Sequence, residues 1–191
     1  MLRTGDRLPP GQHLVTDFPV LDLGIRPQVS EENWRLKING EVENPVDLKL
    51  EEFLKLESFT DVSDFHCVTT WSQFDMEFGG VSFFTIADLV KPKPAARFVV
   101  IQCYDGYTTS LTLDAMMDDD VMVAHTWRGE PLTVDHGGPA RVLVPKLYAW
   151  KCAKWLRELR FAEADELGYW EKRGYSNTAD PFTNDRFANK T

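Results

Sequence analysis

Trp34, Leu36 and Ile38 alternate with Arg35 and Lys37, the period of a strand with one buried face, and the run ends at the tight-turn pair Asn39-Gly40. Leu50, Phe53, Leu54 and Leu56 recur at helical spacing, which predicts a short helix over residues 50–56. Phe98, Val99, Val100 and Ile101 are consecutive β-formers and predict a strand over residues 96–104, leading to the Asp105-Gly106 turn. Further strands are expected at the alternating Leu111 and Leu113, over residues 121–127 before Arg128-Gly129, and over residues 141–144, where Pro145 stops the run. Residues 155–161 fit two templates: Trp155, Arg157, Leu159 and Phe161 alternate, while Leu156, Leu159 and Arg160 also suit a helical turn. Residues 1–27, punctuated by Pro and Gly, read as extended chain over a surface, and the polar residues 181–191 read as a loosely ordered tail. Many short strands with a few short helices make this a β-rich α+β protein with mixed sheets.

Composition narrows the class. The 191 residues are 43% hydrophobic and 12% aromatic, enough for a sizeable core, and no linker divides them, so a single domain over residues 1–191 is expected. Lys and Arg number 21 against 30 Asp and Glu, a net charge of −9 that argues against a nucleic-acid or anionic-membrane partner. No apolar run approaches the roughly 18 residues of a membrane span, and the first twelve residues hold neither an apolar signal core nor a twin arginine. A soluble, cytoplasmic protein is the default expectation. Three cysteines close no disulfide framework, and no C-x-x-C pair marks a zinc ribbon or a thioredoxin-type site. Dinucleotide, phosphate-loop, nucleophile-elbow and haem-attachment signatures are missing, and the four histidines never fall at H-x-x-x-H spacing.

Two features carry chemistry. Residues 136–160 hold Arg141, Lys146, Lys151, Lys154, Arg157 and Arg160 against Glu158 alone, a window of +5 that leaves the rest of the chain at −14. A positive island in an acidic protein suits a small, strongly anionic group such as phosphate, and Gly137-Gly138 would let backbone N–H groups approach it. On charge alone the same stretch also reads as an exposed basic strand. The second feature is Cys67, in the apolar and aromatic stretch Phe65-His66-Cys67-Val68-Thr69-Thr70-Trp71-Ser72. On a strand His66 and Cys67 face opposite sides, so they would not share a metal. A thiolate ligand there needs nearby positive charge or a soft metal; otherwise Cys67, like Cys103 and Cys152, is a small buried hydrophobe.

Taken together, these stretches resemble the sulfite oxidase and methionine-sulfoxide reductase family of molybdopterin enzymes, particularly its short single-domain bacterial members. Thr16-Asp17-Phe18-Pro19-Val20 looks like the family's opening segment, followed by residues 34–42. His66-Cys67-Val68-Thr69-Thr70-Trp71-Ser72 is similar to the reductase branch around its molybdenum-binding cysteine. Tyr107-Thr108-Thr109-Ser110-Leu111 looks like the oxidase segment bearing an active-site tyrosine. Residues 135–145, beginning Asp135-His136-Gly137-Gly138-Pro139, and residues 151–156 carry the strongest likeness.

The resemblance implies a molybdenum–molybdopterin cofactor with Cys67 as the protein's one metal ligand. It further implies that His136 and Arg141 hold the pterin, that Cys152, Ala153 and Lys154 wrap its phosphate, and that Cys103, Thr16 and Asp17 lie beside it. Tyr107 would stand near the metal oxo group, Lys151 would orient substrate at the mouth of the site, and residues 155–161 would be a strand. Val68-Thr69-Thr70-Trp71 replaces the oxidase branch's basic, glycine-containing stretch, and Val15 replaces an arginine, which weakens the case for sulfite. The implied activity is two-electron oxygen-atom transfer on a small sulfur-containing or similar oxyanion, S-oxide or N-oxide. With no haem or flavin motif, an external electron-transfer protein would be the partner. The alternative is a non-catalytic module that binds the same cofactor, or a β-rich domain without one.

Overall fold

The computed structural model describes residues 7–188. The alternation at Trp34–Ile38 becomes a strand after a short β1 (His13–Leu14): β2 (Arg35–Gly40) buries Leu36 and Ile38 fully and exposes Arg35 and Lys37. β3 (Val46–Lys49) pairs antiparallel with β2 and runs straight into α1 (Leu50–Phe53). The helix expected over residues 50–56 is thus a single turn. Leu50 and Phe53 are its buried anchors, and the Glu52 carboxylate accepts from the Lys49 N–H at 2.8 Å.

The longest hairpin is β4 (Ser58–His66) with β5 (Trp71–Ser82), neither of which the hydrophobic pattern announces. Asp61, Ser63 and Asp64 in β4, and Asp75, Glu77, Gly79 and Gly80 in β5, are poor strand formers; cross-strand pairing overrides their propensity. β5 is also the hub of its sheet, with β1 alongside in parallel and β8 (Met122–Trp127) antiparallel. A side chain at Gly80 would meet the Val123 carbonyl at 2.4 Å, so glycine is required where the ladder bulges. α2 (Phe83–Val90) follows, started by the Ser82 hydroxyl accepting from the Phe84 N–H at 3.2 Å and burying Phe83, Ile86, Ala87 and Val90 on one face.

The remaining strands fall close to expectation: β6 (Phe98–Cys103), β7 (Thr108–Thr112), β8 and β10 (Arg141–Leu143), with β9 (Glu130–Pro131) pairing β8. Leu113 is a correction: it opens a one-turn helix, α3 (Leu113–Met116), capped by the Thr112 hydroxyl, rather than continuing β7. The ambiguous segment resolves as β11 (Leu156–Ala162), inserted between β2, to which it is parallel, and β6, to which it is antiparallel. Its alternating Leu159 and Phe161 are buried.

The result is a six-stranded sheet ordered β1-β5-β8-β10, with β4 on β5 and β9 on β8, and a five-stranded sheet ordered β3-β2-β11-β6-β7. Buried residues of both sheets form one continuous cluster. No helix among the described residues is long and apolar enough to cross a membrane. The tail departs from expectation. Residues 189–191 lie outside the described residues, but Phe187 bridges to Tyr175 and Arg186 Nη1 donates to the Val68 carbonyl at 2.7 Å, so this stretch is bound down on the molecule.

Candidate active site

The turn between β4 and β5 presents Cys67. Its N–H donates to the Trp71 carbonyl at 2.9 Å, and the Thr70 N–H donates to the Cys67 carbonyl at 3.0 Å. Thr70 closes the turn at φ +80, a left-handed conformation that a β-branched residue adopts only when the surroundings impose it. Cys67 is 6% exposed, and its sulfur lies 3.0 Å from the Thr69 hydroxyl. Burial pushes its thiol pKa up, opposed in part by the Thr69 hydrogen bonds and by Arg186.

Cys67 lines a cavity of about 280 Å³, and two groups of side chains share its walls. Around Val68 the wall is aromatic: Trp150 packs on Tyr175 at 5.3 Å between ring centres, and Trp170 on Tyr175 at 5.0 Å. The second group is cationic. His136 stacks on Phe18 at 4.2 Å, Arg141 lies over the Phe18 and Phe65 rings, and the Lys154 ammonium lies 4.5 Å from the Trp155 ring. Arg141 is buried, donating to the His136 carbonyl at 2.9 Å and the Cys152 carbonyl at 2.8 Å, and burial pushes its pKa down to about 10. Lys154 donates to the Asp135 carbonyl at 3.0 Å and is pushed down to about 8 by burial, reinforced by Arg141. Burial first, then Arg141 and Lys154, lower the pKa of His136.

The positive island is therefore not one patch. Lys146 pairs with Asp118, and Arg160 pairs with Glu166 at 2.6 Å. Of the six basic residues, Arg141 and Lys154 alone reach the cavity, and Asp22, Asp105 and Asp135 line it too. The Gly137-Gly138 N–H groups are not free for an anion, because they donate to the Val134 and Thr133 carbonyls at 3.1 and 2.9 Å. These glycines serve close packing instead: a side chain at Gly138 would meet the Leu132 carbonyl at 2.0 Å, and one at Gly137 would meet Lys154 Cβ at 2.8 Å.

Of the residues singled out in the sequence, Cys67, Tyr107, His136, Arg141, Cys152, Ala153 and Lys154 all line this one cavity. Lys151 does not. Its ammonium is fully buried on the Glu171 carboxylate at 2.6 Å, with the Ser110 carbonyl at 2.8 Å and Asn177 Oδ1 at 3.0 Å, so it cannot orient substrate at a mouth. Tyr107 reaches the wall, but its hydroxyl donates to the Trp150 carbonyl at 2.5 Å and is not offered to the cavity. Cys103, the last residue of β6, turns into the core and does not line the cavity. Thr16 and Asp17 are exposed; Phe18, Pro19, Leu21 and Asp22, just after them, form the wall.

Phe18, Trp150, Trp170 and Tyr175 went unmarked in the sequence as site residues. Aromatic density over residues 148–155 and 169–175 is the signal that could have found the last three.

A family model described as "oxidoreductase molybdopterin binding domain" matches residues 23–170. Over 182 residues the chain is 38% identical to "uncharacterized oxidoreductase YuiH" of Bacillus subtilis, covering 95% of this chain and 92% of that one. It is 27% identical to the "protein-methionine-sulfoxide reductase catalytic subunit MsrP" of Campylobacter jejuni, over 73% of this chain and 52% of that one. The chain thus spans almost all of the first relative and about half of the second. Among solved structures, the sulfane dehydrogenase SoxCD of Paracoccus pantotrophus superposes with a TM-score of 0.67 at 26% identity, over 73% of this chain and 41% of that one.

Proposed function

The chain belongs to the oxidoreductase molybdopterin-binding-domain family, the sulfite oxidase type of molybdenum enzyme, and from that premise we propose that it removes an oxygen atom from small, neutral S-oxide or N-oxide substrates. Its cofactor is molybdenum–molybdopterin.

The donor set in the cavity suits that group. No cluster of three or more His, Cys, Asp or Glu that could hold a metal exists among the described residues, so a metal bound here must bring most of its ligands with it. A dithiolene-bearing pterin does so and needs one further protein sulfur, which Cys67 would supply. Arg141 keeps a buried Nε–H without an acceptor among the described residues, and the N–H groups of Ala153 and Lys154 donate to no backbone carbonyl there. These donors, with the Lys154 ammonium and His136, would hold the pterin and its phosphate. A bound metal reverses the penalty that burial places on the Cys67 thiolate.

The cofactor, when bound, supplies the two-electron chemistry; the chain supplies orientation and exclusion of water. In the overall reaction an S-oxide accepts two electrons and two protons and leaves as the sulfide and water, the electrons coming from an external donor protein. The side chains of Val68, Trp150, Trp170 and Tyr175 that line this wall are uncharged, and Lys151 does not line the cavity. That wall favours a neutral substrate over sulfite or nitrate, whose charge it would leave uncompensated.

One observation carries this reading: Cys67 and the Arg141–Lys154 pair open into the same cavity. Metal analysis and mass spectrometry of protein from a cofactor-proficient host should find about one molybdenum and one pterin per chain, with the metal lost in Cys67→Ser. Methyl sulfoxides and N-oxides should then turn over with a reduced viologen. Metal-free protein would overturn the proposal. Loaded protein inert toward all of these compounds would favour the non-catalytic alternative.

A further inference from the structure

Residues 7–22 and 171–188 flank the segment that the family model matches, yet both flanks close on the Cys67 turn. From the first, Gln12 Nε2 donates to the Cys67 carbonyl at 3.1 Å. Its Oε1 accepts from the Ser72 hydroxyl at 3.4 Å, which in turn lies 2.9 Å from His66 Nδ1. From the second, Arg186 Nη1 donates to the Val68 carbonyl at 2.7 Å, while its Nε donates to Asn184 Oδ1 at 2.7 Å. The Arg186 guanidinium also lies 5.6 Å from the Tyr148 ring. The flanks meet each other as well, since a side chain at Gly11 would come within 3.7 Å of Arg186 Nη2.

The turn has reason to need such support. Thr70 holds a left-handed φ of +80, and a β-branched residue keeps that conformation only where its surroundings over-determine it. Each of the two carbonyls beside the cysteine is engaged by a different flank, and the donor on Val68 is a cation, which makes the stronger kind of hydrogen bond.

We propose that Gln12 and Arg186 are positioning residues that, acting through the carbonyls of Cys67 and Val68, hold the turn so that the Cys67 sulfur faces the cavity. What the sulfur is used for rests on the function proposed above; the clamp itself does not. Loss of the charged hydrogen bond frees the turn to open locally without loosening the sheets.

Hydrogen exchange measured by mass spectrometry on the purified full chain tests this. In Arg186→Gln, amides of residues 66–72 should exchange about tenfold faster or more, while those of β6 stay unchanged. Gln12→Ala should act in the same direction, and Arg186→Lys, which keeps a cationic donor, should restore most of the protection. In metal-loaded protein the thiolate-to-metal absorbance should shift in Arg186→Gln and return toward its original position in Arg186→Lys. Unchanged exchange in both Arg186→Gln and Gln12→Ala overturns the proposal, as does faster exchange spread over the whole chain. Protein without molybdenum whose turn still loosens would refute the assigned cofactor role and leave the clamp standing; loaded protein with an indifferent turn would do the reverse.

Discussion

Replacing Lys151 with Met separates a structural cation from a substrate-binding one. The ammonium and the Glu171 carboxylate are 2.6 Å apart with side-chain exposures of 0% and 1%, and the Ser110 carbonyl and Asn177 complete the ammonium's shell. Deleting the lysine leaves the Glu171 charge buried with the Thr109 hydroxyl at 2.8 Å on one oxygen and no partner for the other among the described residues. Stranding one member of a buried pair costs about 3–5 kcal/mol. At roughly 2–4 °C per kcal/mol for a chain of this size, the melting temperature should fall by about 6–20 °C. Removing both charges together, as Lys151→Met with Glu171→Leu, should recover most of that loss, because well-packed apolar groups replace buried ion pairs at little cost. Differential scanning calorimetry of the two single variants and the double variant gives the coupling directly. If Lys151→Met melted within about 2 °C of the parent and lost turnover instead, the lysine would belong to the substrate, and the reading of the aromatic wall as uncharged would fail.

Tyr107→Phe leaves the Trp150 carbonyl without its hydroxyl donor, so stability should drop by about 1–3 kcal/mol while kcat/KM changes less than about tenfold. A loss near a hundredfold at full stability would put that hydroxyl on the substrate instead. Lys154, held at about 8, would be the titrating half of the proposed anion site. Affinity for inorganic sulfate, which stays a dianion over this range, followed by isothermal titration in the cofactor-free chain, should be full below about pH 7 and fall as pH rises through about 8. In Lys154→Arg that fall should disappear, and an affinity flat with pH in the parent would remove Lys154 from the anion site. The stability of the cofactor-free chain moves the opposite way: its folded value lies below the ordinary 10.5, so the unfolded chain binds the proton more tightly and folding strengthens as pH rises from about 8 to 10.5.

The chain's own order of residues already determined the strands whose burial alternates. Leu36 and Ile38 and the Phe98–Ile101 run are apolar because one or both faces are dry, and that requirement is local and periodic, whereas residues 155–161 fit two templates until pairing with β2 and β6 made them a strand. Charge marked Arg141 and Lys154 among six basic residues and the cysteine count offered Cys67 among three, while the family resemblance, not the spacing, singled out Cys67 and His136. Only the tertiary structure decided the β4–β5 hairpin, whose acidic and glycine residues are held as strands by partners rather than by propensity. Only it separated Lys151 from Lys154: three positions apart and equal in any charge count, one is turned onto Glu171 and the other onto the cavity wall. Arg186 lies 118 positions from Val68, the carbonyl it engages, and was invisible for the same reason. A periodic pattern reports which face of an element is dry, whereas a charge finds its partner across the fold, and that pairing exists only once the chain has closed on itself.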